Sequence, residues 1–201
     1  MTKTNPLVIS GAVEGTLDEI VVRRLVEMAG ASLGRVYGKN GKPNLRERLE
    51  GYNQAARFAH WVVLVDLDQD AECAPLLKAA WLPRPETHMC FRIAVREVEA
   101  WLIADRERLA RFLSVPIAQI PQEPETLANP KRTMVDIARK SRRAAMREDM
   151  VPRAGSGRPI GPAYTSRMIE FVEKKWRPGV AEHSSDSLRR CRRHLLELLR
   201  P

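Results

Sequence analysis

The 201 residues are 44% hydrophobic, enough for one domain or a core with an appended subdomain, and the formal charge of +9 is uneven: residues 130–201 hold 18 Lys and Arg against 8 Asp and Glu, leaving 16 against 17 before them. A basic half of this kind points to a polyanionic partner, nucleic acid (DNA or RNA) being the usual one. No apolar run approaches the ~20 residues of a membrane span, Met1–Pro6 leads into a strand rather than forming a signal peptide, and Cys73, Cys90 and Cys191 lack zinc-ligand spacing, so no membrane and a reduced, cytoplasmic setting are expected.

Leu7-Val-Ile-Ser10 is a short strand candidate, and Gly11–Gly15 a polar-tipped turn that exposes Glu14. Thr16-Leu-Asp-Glu19 has capping-box spacing, and Leu17, Ile20, Val21, Leu25 and Met28 then recur at helical intervals up to Gly30. The turn lacks a dinucleotide or P-loop glycine pattern, and an acid inside it would repel a phosphate unless a metal lay between. Arg35–Gly38 predicts a second strand, Lys39–Asn44 a turn with two lysines, and Leu45–Phe58 a helix.

Trp61-Val-Val-Leu-Val-Asp66-Leu-Asp68-Gln-Asp70 is the centre of the chain. Its apolar, Val-rich run predicts a parallel strand buried on both faces, and ligands of open α/β sheets sit beyond the carboxyl ends of such strands. Period-2 geometry puts Asp66, Asp68 and Asp70 on one side if the strand continues, where their oxygens suit Mg²⁺ or Mn²⁺. The competing reading is that Asp66 ends the strand and Asp68 or Asp70 caps the next helix.

Ala71–Leu82 predicts a helix and Met89–Val95 another strand, followed by Glu97 and Glu99. Acids therefore follow three candidate parallel strands, and the alternative for Glu97 and Glu99 is the first turn of a helix, where acids meet the dipole favourably. Beyond residue 105 strand signals stop. Arg106–Leu113 continues helical, a proline-broken connector follows, and helices are expected over 129–143, 164–176 and 186–199. In the last, Leu188, Cys191, Leu195 and Leu198 or Leu199 form an apolar stripe, with Arg189, Arg190, Arg192 and Arg193 largely off it. Together with Arg139, Lys140, Arg142 and Arg143 these are the candidate phosphate-backbone contacts. His60, His88 and His183 read as isolated, and Trp61, Trp81 and Trp101 as core.

Val13-Glu14-Gly15-Thr16-Leu17-Asp18-Glu19 with Asp66-Leu67-Asp68 resembles the Toprim pattern, close to its form in the overcoming-lysogenization-defect nucleases. Arg92–Trp101, Asn129-Pro-Lys131 and Ser185-Asp-Ser187-Leu188 extend the similarity to the Toprim-like domain of unknown function 4276. The resemblance implies an α/β, Toprim-like fold with a mostly parallel central sheet over residues 1–105, and a basic helical extension over 106–201 packed on it. It implies a Mg²⁺- or Mn²⁺-dependent nuclease linked to phage defence. Glu14, Asp66 and Asp68 would be catalytic and metal-binding, Asp70, Glu97 or Glu99 further ligands, and Lys131 a stabiliser of phosphate charge. The relatives' fused ATPase has no counterpart here, which implies a separate ATPase partner. The alternative is a non-catalytic nucleic-acid-binding or ATPase-partner protein with a structural cation.

Overall fold

The computed structural model describes residues 7–199, so the expectation for Met1–Pro6 lies outside the described residues. The chain forms two compact units. One runs up to Ala94 and resumes at Arg189; the other is Val95–Leu188. The boundary expected from the sequence falls later, after residue 105.

The first unit is α/β. Its strands β1 (Val8–Val13), β2 (Ser32–Gly38), β3 (Trp61–Asp66) and β4 (Met89–Ala94) form one all-parallel sheet in the order β2-β1-β3-β4. Helices α1 (Thr16–Met28), α2 (Lys42–Ala55) and α3 (Ala74–Trp81) connect and flank the strands. β3 is buried along its whole length, as its unbroken apolar run requires. Each fully buried Val or Leu there contributes roughly 1.5–3 kcal/mol. Tyr37, Tyr52 and Trp61 stack nearby, with ring centroids 5.2–5.9 Å apart.

Two local expectations shift. The cap of α1 is Gly15, whose N–H donates to Asp18 Oδ2 (2.8 Å), so Asp18 closes the turn. Glu19 pairs instead with Arg23 and Lys39, each at 3.0 Å. α2 begins at Lys42 rather than Leu45, because Pro43 is pre-organised for a first turn. The turn before it is tight: a Cβ on Gly38 (φ +84°) would collide with the Val13 carbonyl oxygen, and Lys39 N–H and Gly41 N–H donate to the carbonyls of Val13 and Glu14.

The second unit is helical: α4 (Val98–Ile103), α5 (Arg106–Leu113), α6 (Pro130–Arg139), α7 (Ala144–Met150), α8 (Tyr164–Lys174) and α9 (Pro178–Ala181). The helix expected over 129–143 stops at Arg139, and a new one starts at Ala144. Trp101, Trp176, Tyr164 and Phe171 fill the core. Ser187 Oγ is a hub: it accepts from Trp101 Nε1 (2.7 Å) and Val95 N–H (3.3 Å) and donates to Glu125 (2.5 Å). Fully buried Asp105 takes the Arg177 guanidinium at 2.7 and 3.1 Å. α10 (Asp186–Leu198) starts in this unit and continues in the first, where Cys191 and Leu195 are buried. No helix among the described residues is long and apolar enough to cross a membrane.

Candidate acidic site at the strand ends

In a parallel sheet all carboxyl ends share one edge. Here the strand order reverses between β1 and β3, because β1 is followed by β2 on one side and has β3 on the other. Such a reversal opens a crevice beyond the strand ends, the usual ligand site of open α/β sheets. Glu14 follows β1 and Asp66 ends β3.

Pairing of β1 with β3 runs from Ser10↔Trp61 to Ala12↔Val63. Beyond it, the Glu14 carboxylate accepts the Asp66 backbone N–H at 2.8 Å, extending the ladder with a side chain. Burial pushes the Glu14 carboxyl above the usual range, and the negative charges of Asp68 and Asp70 push the same way. The Asp66 N–H and the charge of Lys42 oppose them.

The acids do not continue a strand. Leu67 is buried, Asp68 takes a left-handed conformation (φ +48°), which Asp tolerates better than most residues, and the Asp70 N–H donates back to the Leu67 carbonyl. Neither Asp68 nor Asp70 caps α3, whose cap residue is Cys73. Instead both accept from the Lys42 ammonium, at 2.5 and 2.8 Å. Burial works against the charge on Lys42. Hydrogen bonds to Asp68 and Asp70, with the charge of Glu14, outweigh it and hold the ammonium above the usual lysine range.

Glu97 and Glu99 belong to the second unit. Glu97 is the cap residue of α4, and its Oε2 accepts the Lys131 backbone N–H at 2.8 Å. Glu99, in the first turn of α4, is 1% exposed. Its Oε1 accepts from Tyr164 Oη at 3.2 Å, while Oε2 is buried with no hydrogen-bond partner. Lys131 Nζ lies 3.6 Å from Glu97 and 3.7 Å from Glu99. Burial, then the charge of Glu97, raises the Glu99 carboxyl; Lys131 pulls it down. Burial and Glu99 together drive the Tyr164 phenol well up.

No family model, curated protein or solved structure matches the chain.

The basic candidates divide between the units. Arg139, Lys140, Arg142 and Arg143 are exposed in the second, where Arg139 pairs with Asp136 (3.8 Å) and Lys140 donates to Gln119 (2.7 Å). Arg189, Arg190 and Arg193 are exposed in the first, and half-buried Arg192 borders a small crevice with Leu25 and Met28. His60 and His88, read as isolated, lie 4.6 Å apart at the amino ends of β3 and β4.

No sequence pattern picked out Lys42 or Tyr164 as partners of the acids. Pro43 was the available signal for Lys42: read as a first-turn residue, it places Lys42 just past β2, on the same sheet edge as Glu14 and Asp66. No spacing links Tyr164 to Glu99 across 65 residues.

Among the described residues no group of three or more His, Cys, Asp or Glu side chains is arranged to hold a metal ion. The donor set is nevertheless all oxygen, Glu14 carries repulsion from its neighbours, and a cationic nitrogen already bridges two of the acids. That chemistry fits a hard divalent cation.

Proposed function

We propose that the first unit is a Toprim-like nuclease core that hydrolyses nucleic-acid phosphodiesters with Mg²⁺ or Mn²⁺. The observation that carries this reading is the Glu14–Asp66 hydrogen bond at the reversal of strand order, with Asp68, Asp70 and Lys42 beside it. Glu14, Asp66 and Asp68 would hold the cation, with Asp70 as a further oxygen donor, and the cation would supply Lewis acidity toward phosphate oxygens. Glu14, its carboxyl raised by burial and neighbouring charge, is suited to exchange a proton with the attacking water or the leaving oxygen. Lys42 serves as the resting counter-ion of Asp68 and Asp70 and then pairs with substrate phosphate. Glu97 and Glu99 offer oxygen donors in their own unit, where the unpartnered Glu99 Oε2 is the open position and Lys131 the neighbouring cation for phosphate charge. The exposed arginines and lysines hold the backbone without reading bases. A role in phage defence and a separate ATPase partner belong to the same reading.

A second reading is favoured by Lys42 itself. If its ammonium is the permanent cation of Asp68 and Asp70, the protein binds nucleic acid or an ATPase partner without cutting, in line with a structural cation site.

Supercoiled plasmid and single-stranded RNA, incubated with Mg²⁺, Mn²⁺ or EDTA, separate the two. Metal-dependent cleavage that falls at least ~100-fold in Asp66→Ala and Glu14→Ala is expected for a two-carboxylate hydrolytic site. Wild-type protein that neither cuts nor binds metal by calorimetry would overturn the nuclease reading.

A further inference from the structure

An open groove of about 860 Å³ runs between the first turns of α2 and the length of α3. Lys42 and Arg46 line it from α2, Leu76 and Trp81 from α3, and Asp70 from the loop between. Lys42 and Asp70 also belong to the acidic site, so groove and site share a wall. The volume is within the range of ligand clefts.

The lining is unlike a packed surface. Trp81 is half-buried, in contrast to Trp61 and Trp101, which are core residues. The Arg46 guanidinium carbon stands 5.1 Å from its ring centroid, and Arg46 makes no ion pair among the described residues. Leu76 is 54% exposed on the same helix. An indole with a guanidinium seated over it and an aliphatic side chain form a platform on which a flat, uncharged ring can stack by taking the place of Arg46. Lys42 and Arg46 line the groove beside the acids Glu47 and Asp70, and Lys42 reaches a phosphate by leaving Asp68 and Asp70. That pairing of a π-platform with cations is how single strands are held without base selection.

We propose that this groove seats an unpaired nucleobase on Trp81, with Arg46 and Lys42 taking the adjoining phosphate. The inference rests on the reading of the neighbouring acids as a phosphodiester site. It makes the substrate single-stranded at the nucleotide beside that site, since a paired base presents no free face.

Binding measured in EDTA keeps this question separate from cleavage. The probes are a fluorescein-labelled oligothymidylate of about ten nucleotides, a size suited to single-strand binders, and an abasic strand of equal length. Fluorescence anisotropy should show the thymidylate bound more tightly than the abasic strand. Trp81→Ala should weaken thymidylate binding by about five- to a hundredfold, the usual range for one stacked base, and leave the abasic strand unchanged. Trp81→Phe should restore most of the loss, and Arg46→Ala should reproduce part of it, so the result does not depend on one variant folding. Equal affinity of wild type for both probes, failure to bind either, or thymidylate binding indifferent to Trp81→Ala and Arg46→Ala would overturn the proposal. Plasmid or RNA cleavage that survives in Trp81→Ala would leave the acidic site standing whichever way binding falls.

Discussion

The two acidic centres solve the same electrostatic problem in opposite ways. In the first unit Asp68 and Asp70 keep more than 40% of their side-chain surface in solvent and share a lysine at hydrogen-bond distance. In the second, Glu99 is sealed from water, leans on a phenol, and has its nearest ammonium 3.7 Å away. Solvent screens the first set, so its ion pairs are weak and exchangeable. No solvent screens the second, so Glu99 carries the cost of burial in its protonation state instead. The first centre can exchange its counter-ion at little cost, whereas the second holds one buried oxygen without a hydrogen-bond partner.

Breaking the buried centre should give the larger change in stability. Tyr164→Phe removes the phenol that donates to Glu99 Oε1 and should cost about 1–3 kcal/mol in urea unfolding, the penalty of an unsatisfied buried acceptor. A variant as stable as wild type would show that water already serves Glu99. Next comes the pH dependence. The Glu99 carboxyl is raised in the folded chain, so folding favours its protonated form. Its contribution is fully present below the ordinary carboxylate value, and is lost as pH rises through the folded one. Glu99→Gln should flatten that part of the decline in urea midpoint above about pH 4.5; an unchanged profile would place the titration elsewhere. The smallest effect should be Lys42→Met. Its exposed partners make the pairs worth less than about 1 kcal/mol, yet removing a competing cation should tighten Mn²⁺ binding several-fold by calorimetry. Weaker binding in Lys42→Met would mean that Lys42 positions the acids rather than competing for them.

Much of the sheet could be read directly. The Val-rich run before Asp66 is unbroken and has the length of a doubly buried strand, and that is what β3 is. Glu14 and Asp66 could be placed at strand ends for the same reason. What lay beyond reach was the bend after Leu67. Period-2 reasoning assumes that a strand goes on, and a left-handed Asp68 ends it, so Asp68 and Asp70 leave the line of Asp66 and meet on Lys42. The stretch beyond residue 105 was legible as helical, but residues 95–188 were not legible as a unit with its own polar hub. Trp101, Glu125 and Ser187 meet there from far apart in sequence, and Asn129 caps α6 by accepting the Arg132 N–H at 2.7 Å. Several residues that carried the resemblance, Trp101, Asn129, Ser185 and Ser187 among them, thus have architectural work within that unit.

The passage of α10 out of one unit and into the other bears on synthesis. The first unit is discontinuous in sequence, lacking Cys191 and Leu195 from its core until the ribosome has made everything before them. Domains ordinarily fold as units while the chain emerges. Here residues 95–188 can finish first, and a ribosome stalled before Arg189 would hold a nascent chain whose sheet lacks its closing helix. The first unit would therefore be completed only after the whole of the second has been made.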